Sequence, residues 1–288
     1  MNKKNITPWL FALPAILMFL TVVVIPLFCT LVFSLVSWNG VAPMQFIGIK
    51  NYTKMINDRT LVSSFFHNIK FSLLSSIIQF TVGLILAILL SSVHSFKNVL
   101  KVIYFVPCIV ATVAVAQIFM KLLALEPLGI FNVILEYFHI TPKSWLGESK
   151  TALTALSCVD AYKYCALYMV IFYSGFMSIS QEIVDAAYID GCGWFRAFRY
   201  VKLPMIRSVT GLVIVLLVNG TLKAFEMPYV LTGGKPGTST ELVATYMYKT
   251  AFLTMQYGYA SAIAVFLLVE CMVAVLTVKK LTSNMDVE

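Results

Sequence analysis

Long charge-free runs dominate the pattern of this chain. Asn5 to Ile49, Phe71 to Phe96, Val102 to Met120, Tyr164 to Gln181 and Thr250 to Val269 contain no Asp, Glu, Lys or Arg. A helix needs about 20 apolar residues to cross a hydrocarbon core, and each run is long enough. A sixth candidate lies near Met205 to Phe225. Its uncharged part, Ser208 to Leu222, is shorter, and Lys223 and Glu226 follow it; basic side chains at a helix end can snorkel to the interface. The expected spans are 9–37, 69–93, 99–123, 152–178, 205–227 and 255–278. Backbone polar groups must be satisfied internally in lipid, and the runs lack the alternation of a barrel. The fold class is therefore all-α: a polytopic membrane protein of six transmembrane helices, with residues 1–288 as a single transmembrane domain.

Composition agrees with the pattern. The chain is 60% hydrophobic and 12% charged, with a mean hydropathy of +0.88, which excludes an ordinary soluble domain. The first span follows Met-Asn-Lys-Lys and is much longer than the apolar core of a signal peptide, so it is read as retained. Basic residues nearly balance between the two sides by number. They are denser in the short segments on the side of the N-terminus, which places both termini and the loop 179–204 in the cytoplasm. The net charge of +8 is accounted for by membrane lipid headgroups and calls for no nucleic acid.

Other chemistry is thin. The six Cys, at 29, 108, 158, 165, 192 and 271, form no C-x-x-C pair and read as small buried packing residues. His67, His94 and His139 are scattered, so neither a metal site nor a catalytic cluster has local support. The stretch LTGGKPGTST, 231–240, fails as a phosphate loop. The first required Gly is Tyr229, and Lys235 is followed by Pro236. Any use of ATP must come from another subunit.

Between the fourth and fifth spans lies a hydrophilic interruption, DAAYIDGCGWFRAFRYVKLP, residues 185–204. Glu182, Asp185, Ala186, Ala187 and Ile189 read as two helical turns with a low-relief alanine surface that a partner can approach closely. Gly191 and Gly193 weaken the helix and permit a bend; Gly191 also suits a simple C-cap. A second helix, Trp194 to Lys202, carries Arg196, Arg199 and Lys202 on a wet face. Leu203-Pro204 is expected to end it. The product is a helix, a bend and a second helix at the cytoplasmic surface, forming a projecting foot.

Asp185-Ala186-Ala187, three residues, Gly191, nine residues, then Val201-x-Leu203-Pro204 resembles the E-A-A-x3-G-x9-I-x-L-P loop of permease subunits in binding-protein-dependent ABC importers. Asp185 stands where Glu is usual and Val201 where Ile is usual. The first span, FIGIKNYTKMI, LGIFNVIL and FEMPYVLTGGKPGTSTELVATYMYKTAF are similar, in order, to segments of the MalF/UgpA-like carbohydrate permeases. The resemblance implies a MetI-like permease fold in a prokaryotic cell membrane. It implies a second permease subunit as heterodimer partner, two copies of a cytoplasmic ABC ATPase and an external solute-binding protein. ATP and magnesium would sit on the ATPase, with no cofactor and no catalytic residue on this chain. Asp185, Ala186, Ala187, Asp190, Gly191, Leu203 and Pro204 would form the ATPase-coupling surface.

The resemblance puts the sugar-facing surface on the fourth and fifth spans. Tyr164, Tyr168, Asn219, Thr221, Lys223 and Phe225 are the candidates there, since amides and hydroxyls bond sugar hydroxyls while aromatic rings pack on C–H faces. Asp160 with Lys163, and Lys223 with Glu226, are opposite charges at i,i+3, able to neutralise each other locally. Gln79, Gln117 and Glu270 read as helix-to-helix hydrogen bonds. The alternatives are an importer of glycerol phosphate or another anionic carbohydrate and, from a different class, an ion-coupled secondary carrier. An intramembrane enzyme lacks paired catalytic residues within a span.

Overall fold

The protein is described by a computed structural model over residues 7–93 and 96–283; both chain ends, and with them the expected cytoplasmic termini, lie outside the described residues, as does His94. Two compact units divide the chain: Met1–Val62 with Tyr246–Val269, and Ser63–Thr245 with Glu270–Glu288.

In the first unit, α1 (Thr7–Phe19) runs through a wide π-type turn, Leu20–Val24, into α2 (Ile25–Phe33). Pro26 offers no N–H to the preceding turn, and the Ile25 N–H reaches back five residues to the Leu20 carbonyl, which widens the turn there. Phe11, Met18 and Phe28 are exposed, and a helix that is apolar all round belongs in lipid or against a partner. The first span ends at Phe33 and not at 37, because β1 (Val36–Ser37) and β2 (Gln45–Phe46) pair as a short hairpin. On α3 (Lys50–Asn57), the buried Asn51 amide donates to the carbonyls of Ser34 (2.8 Å) and Val36 (3.0 Å), locking that helix to the hairpin.

Asp58 caps α4 (Arg59–Ser92). One carboxylate oxygen accepts from the backbone N–H groups of Thr60 (3.0 Å) and Leu61 (3.2 Å), and the other from the hydroxyls of Tyr246 (2.6 Å) and Tyr259 (2.7 Å). This cap explains why the second span begins ten residues before the expected 69.

The second unit is built around α8 (Ala152–Met177), whose bounds match the expected fourth span. Its side chains enter both apolar clusters of the unit. One gathers Phe71, Val115, Leu153, Leu156, Val159 and Met227; the other Ala87, Leu90, Tyr168, Met169, Phe172, Phe176, Ile206 and Leu217. Gly83 of α4 lets that helix close on α8, since a Cβ there would lie 3.1 Å from the Cys165 carbonyl oxygen.

Two expected spans are bent. The third is two helices, α5 (Lys97–Ile109) and α6 (Thr112–Leu122), that meet at 90°. Val110 and Ala111 are extended between them, with ψ of 139° and 135°. The fifth breaks by 69° at Ile206, and its helix α12 (Arg207–Leu222) stops five residues short of the expected 227. Pro204 does not end the preceding helix. A wide turn, Phe198–Lys202, leads into α11 (Leu203–Met205), where Pro sits in the first turn and its missing N–H is harmless. The sixth span is α15 (Tyr257–Ser283). With each bent pair taken as one crossing, the described helices supply up to 6 spans.

The remaining helices are α7 (Ile130–Tyr137), α9 (Gln181–Ile189), α10 (Trp194–Ala197), α13 (Glu226–Leu231) and α14 (Val243–Phe252). The six cysteines are unbridged; Cys165 and Cys271 are buried as expected, whereas Cys158 is exposed, on the side of α8 that its neighbours leave uncovered.

Candidate functional site

A cavity of ≈ 430 Å³ opens between α8, α4 and the chain that follows α12. Helical spacing of four places Asp160, Tyr164 and Tyr168 on one face of α8, and all three line it. Across from them the chain unwinds after Leu222, so Lys223, Phe225 and Glu226 reach the cavity from an irregular segment between α12 and α13.

Polar contacts within the walls are specific. Gln79 and Asp160 are both almost fully buried, and the Gln79 amide donates to the Asp160 carboxylate at 2.9 Å. Thr221 lines the cavity, but its hydroxyl is shared with Ser72 (2.7 Å) and Ser76 (3.3 Å) of α4 and donates to the Leu217 carbonyl. It therefore acts as a clamp between helices as much as a wall. Gly220 lies opposite the Tyr168 hydroxyl; a Cβ there would be 3.7 Å from it. Phe225 stacks on Tyr229 with ring centroids 5.3 Å apart.

Of the six expected path residues, Tyr164, Tyr168, Thr221, Lys223 and Phe225 line the cavity. Asn219 does not, because one step along the helix turns it away and presents Gly220 in its place. Neither i,i+3 charge pair forms. Lys223 closes α12 and Glu226 opens α13, so the helical spacing that would bring them together is lost between them. Asp160 is taken by Gln79, while the buried Lys163 donates to the carbonyls of Val110 (2.6 Å) and Cys108 (3.5 Å) at the break between α5 and α6. Glu270 does bridge helices, accepting from the Asn68 amide at 2.9 Å; Gln117 is exposed instead. The Gln79–Asp160 pair was beyond sequence reasoning, since 81 residues separate its members.

The foot has the expected helix, bend and second helix. On α9, Asp185, Ala186 and Asp190 are exposed and Ile189 is 86% exposed. Val184 and Ala187 are turned inward and buried by this chain's own atoms. Ala187, expected on the partner-facing surface, is thus a packing residue of the foot, one position round the helix from the exposed face. Gly191 takes φ of +82°. Its N–H bonds to the Tyr188 carbonyl (3.1 Å) and that of Cys192 to the Ala187 carbonyl (3.0 Å), the paired bonds of a Schellman cap. Nothing lies within 4 Å of a Cβ built there, so conformation alone requires the glycine. Trp194 stacks on Phe198 (5.8 Å), and Phe198 meets Phe176 at the end of α8 (6.0 Å). Leu203 and Pro204 are half-buried behind the foot.

Comparison with known proteins bears on both regions. Residues 79–286 match the family described as binding-protein-dependent transport system inner membrane component. The probable ABC transporter permease protein YurN of Bacillus subtilis is 30% identical over 273 residues, covering 93% of each chain. The trehalose/maltose transport system permease protein MalF of Thermococcus litoralis is 30% identical over 261 residues, covering 89% of this chain and 87% of that one. In fold, the chain is similar to a subunit in the crystal structure of a bacterial ABC transporter involved in the import of the acidic polysaccharide alginate. The TM-score there is 0.84 at 20% identity, over 98% of this chain and 96% of that one. The chain thus shares the fold of a known architecture, and it belongs to the binding-protein-dependent transport system inner membrane components.

Proposed function

We propose that this chain is the permease subunit of an ABC importer that translocates a neutral sugar or oligosaccharide. A second permease subunit pairs with it, an external solute-binding protein delivers the substrate, and two copies of a cytoplasmic ATPase drive the cycle with ATP and magnesium. The relative named for trehalose and maltose transport supports a carbohydrate cargo.

The observation that carries the reading is the cavity itself. Tyr164, Tyr168 and Phe225 offer aromatic surface for the C–H faces of a sugar, and the Gln79–Asp160 pair and Lys223 offer hydrogen bonds for its hydroxyls. Two carboxylates, Asp160 and Glu226, against one ammonium, Lys223, line it. The ammonium shares the lining with Glu226, so the cavity offers no surplus positive charge for an anionic cargo.

The foot supplies the drive. Asp185, Ala186, Asp190 and the Gly191 cap form the face offered to the ATPase. Phe198, Leu203 and Ile206 pack into the same apolar cluster as Tyr168, Met169 and Phe172 of α8. Displacement of the foot is carried by close-packed side chains to the helix that walls the cavity, giving alternating access. Alternation along six crossings puts the foot, after the fourth, on the cytoplasmic side, and the segments after the first, third and fifth outside.

Copurification of an ABC ATPase with the tagged chain, and sugar uptake into proteoliposomes that needs ATP, are the expected results. Uptake driven by an ion gradient without any ATPase would overturn the reading in favour of a secondary carrier.

A further inference from the structure

The first unit holds a separate concavity of ≈ 270 Å³, walled by Ser37, Trp38, Asn39, Gln45, Lys54 and Gln256. These residues come from the segments after the first and fifth crossings, two odd-numbered connections. Under the importer reading, on which this inference rests, they face outward, on the side from which the solute-binding protein arrives.

Two amides of the wall, Asn39 and Gln256, have spent their acceptors and kept their donors. The Asn39 carbonyl oxygen accepts from the backbone N–H groups of Val41 (3.2 Å) and Ala42 (2.8 Å), which leaves its amide NH₂ unused. The Gln256 side-chain oxygen accepts from Lys54 Nζ at 2.8 Å, which leaves its NH₂ unused as well. Lys54 uses one of its three protons in that bond, and its ammonium is held over the Tyr259 ring at 4.0 Å. Asp58, one helical turn away, is engaged by Tyr246, Tyr259, Thr60 and Leu61, and no carboxylate lines the concavity. An ammonium fixed in place and flanked by two free amide donors is complementary to a carboxylate.

The surroundings point to a protein as the source of that carboxylate. The hairpin that forms one wall also exposes Val41 (93%), Met44 (50%) and Phe46 (78%), and Met255 (52%) lies at the rim. Exposed apolar side chains on the same hairpin as a polar anchor suit a protein interface, which excludes water from a charged contact. We propose that this concavity is a docking socket for an acidic side chain of the external solute-binding protein, with Lys54 as its central charge and Asn39 and Gln256 as its orienting donors.

The test uses the complete importer in proteoliposomes, titrated with its solute-binding protein, with ATP hydrolysis as readout. Lys54→Glu is expected to raise the half-stimulating concentration at least about tenfold, leaving the basal rate and the maximal stimulated rate unchanged. It should also flatten the salt dependence of stimulation, since the lost contact is ionic. Lys54→Arg is expected to retain most of the wild-type response, and Asn39→Ala with Gln256→Ala to fall between. An unchanged half-stimulating concentration in Lys54→Glu would overturn the socket while leaving the importer reading intact. A lowered maximal rate at unchanged half-stimulation would overturn it too, by placing Lys54 in the transport cycle. Competition of free glutarate or glucuronate with stimulation in the wild type, at concentrations where lactose has no effect, is expected of the socket. If they instead stimulate hydrolysis without the binding protein, the socket takes a free acid and the docking proposal fails. A wild-type complex that no binding protein stimulates would sink the importer reading and the socket with it.

Discussion

Lys163 Nζ donates to the Val110 carbonyl oxygen at 2.6 Å, tying the middle of α8 to the point where the third crossing breaks by 90°. The residue is only 3% exposed, and among the described residues its ammonium hydrogen-bonds to backbone carbonyls and to no carboxylate. The compensation comes from carbonyls at the C-terminal end of α5, the negative end of that helix. Lys163→Met leaves those carbonyls unpaired, and losing a buried hydrogen bond to a charged group costs about 1.5 to 3 kcal/mol. The purified protein should melt several degrees lower, with Lys163→Arg intermediate. Superimposable melting curves for wild type and Lys163→Met would remove the pin.

The foot predicts a split between neighbours. Ala186 is exposed and Ala187 is buried within the foot. Ala186→Asp should therefore abolish ATPase docking with unchanged melting, whereas Ala187→Asp should lower both, because it buries an unpaired charge. Gly191 has open space around it and a φ of +82°. Gly191→Asn should accordingly be tolerated better than Gly191→Val, which costs about 1 to 2 kcal/mol as an L-residue in the left-handed region. Equal stimulated ATPase activity in all four variants would sink the coupling role.

How much of this was readable beforehand follows from the kind of interaction involved. The foot is local: its alanines, Gly191 and Leu203-Pro204 lie within 20 residues, so sequence spacing conveyed helix, bend and helix. The aromatic wall of α8 was legible for the same reason, as Tyr164 and Tyr168 are one helical turn apart. The partners of Asp160, Lys163 and Thr221 were not, because each bonds to a residue 53 or more positions away. Charges at i,i+3 suggested local pairs, and burial against other helices redirected them. The break at Val110 left no signal because apolar composition continues through it unchanged, whereas the break at Ile206 lies within three residues of the stop expected at Leu203-Pro204.

Asp58 gives the connection after the first crossing a pH dependence. Burial alone would raise its pKa, but the hydroxyls of Tyr246 and Tyr259 and the N–H groups of Leu61 and Thr60 together hold it below the ordinary 3.8. A carboxyl whose folded pKa is depressed contributes stability that is complete above the unfolded value and is lost as pH falls through the folded one. Asp58→Asn should therefore melt below wild type at pH 7, and the gap should close as pH drops below 3.8. A gap that stays constant from pH 7 to pH 3 would show the cap to be independent of charge.

Orientation is tested by thiol labelling in intact cells, in a background with the native cysteines replaced. Ser180, at the start of the foot, and Thr238, in the segment after the fifth crossing, are both exposed. A cysteine at Thr238 should react with a membrane-impermeant reagent and one at Ser180 should not. The reverse pattern would invert the topology.

The charge of the cargo is decided at Lys223. It lines the cavity with Asp160 and Glu226 and pairs with neither. For a neutral sugar it contributes at most a hydrogen bond, so Lys223→Met should cost about 0.5 to 1.5 kcal/mol, a several-fold loss of uptake and not abolition. For an anionic sugar it is the one cation lining the cavity, and the same substitution would stop uptake. Because Lys223 and Glu226 do not touch, the effects of Lys223→Met and Glu226→Gln should add in the double variant, with no rescue of one by the other. Uptake of maltose and of a uronic disaccharide by the three variants reads both points at once. Additive, several-fold losses with maltose are expected. Rescue in the double variant would mean that the two side chains pair during the cycle, and abolition by Lys223→Met alone would make the cargo an acid.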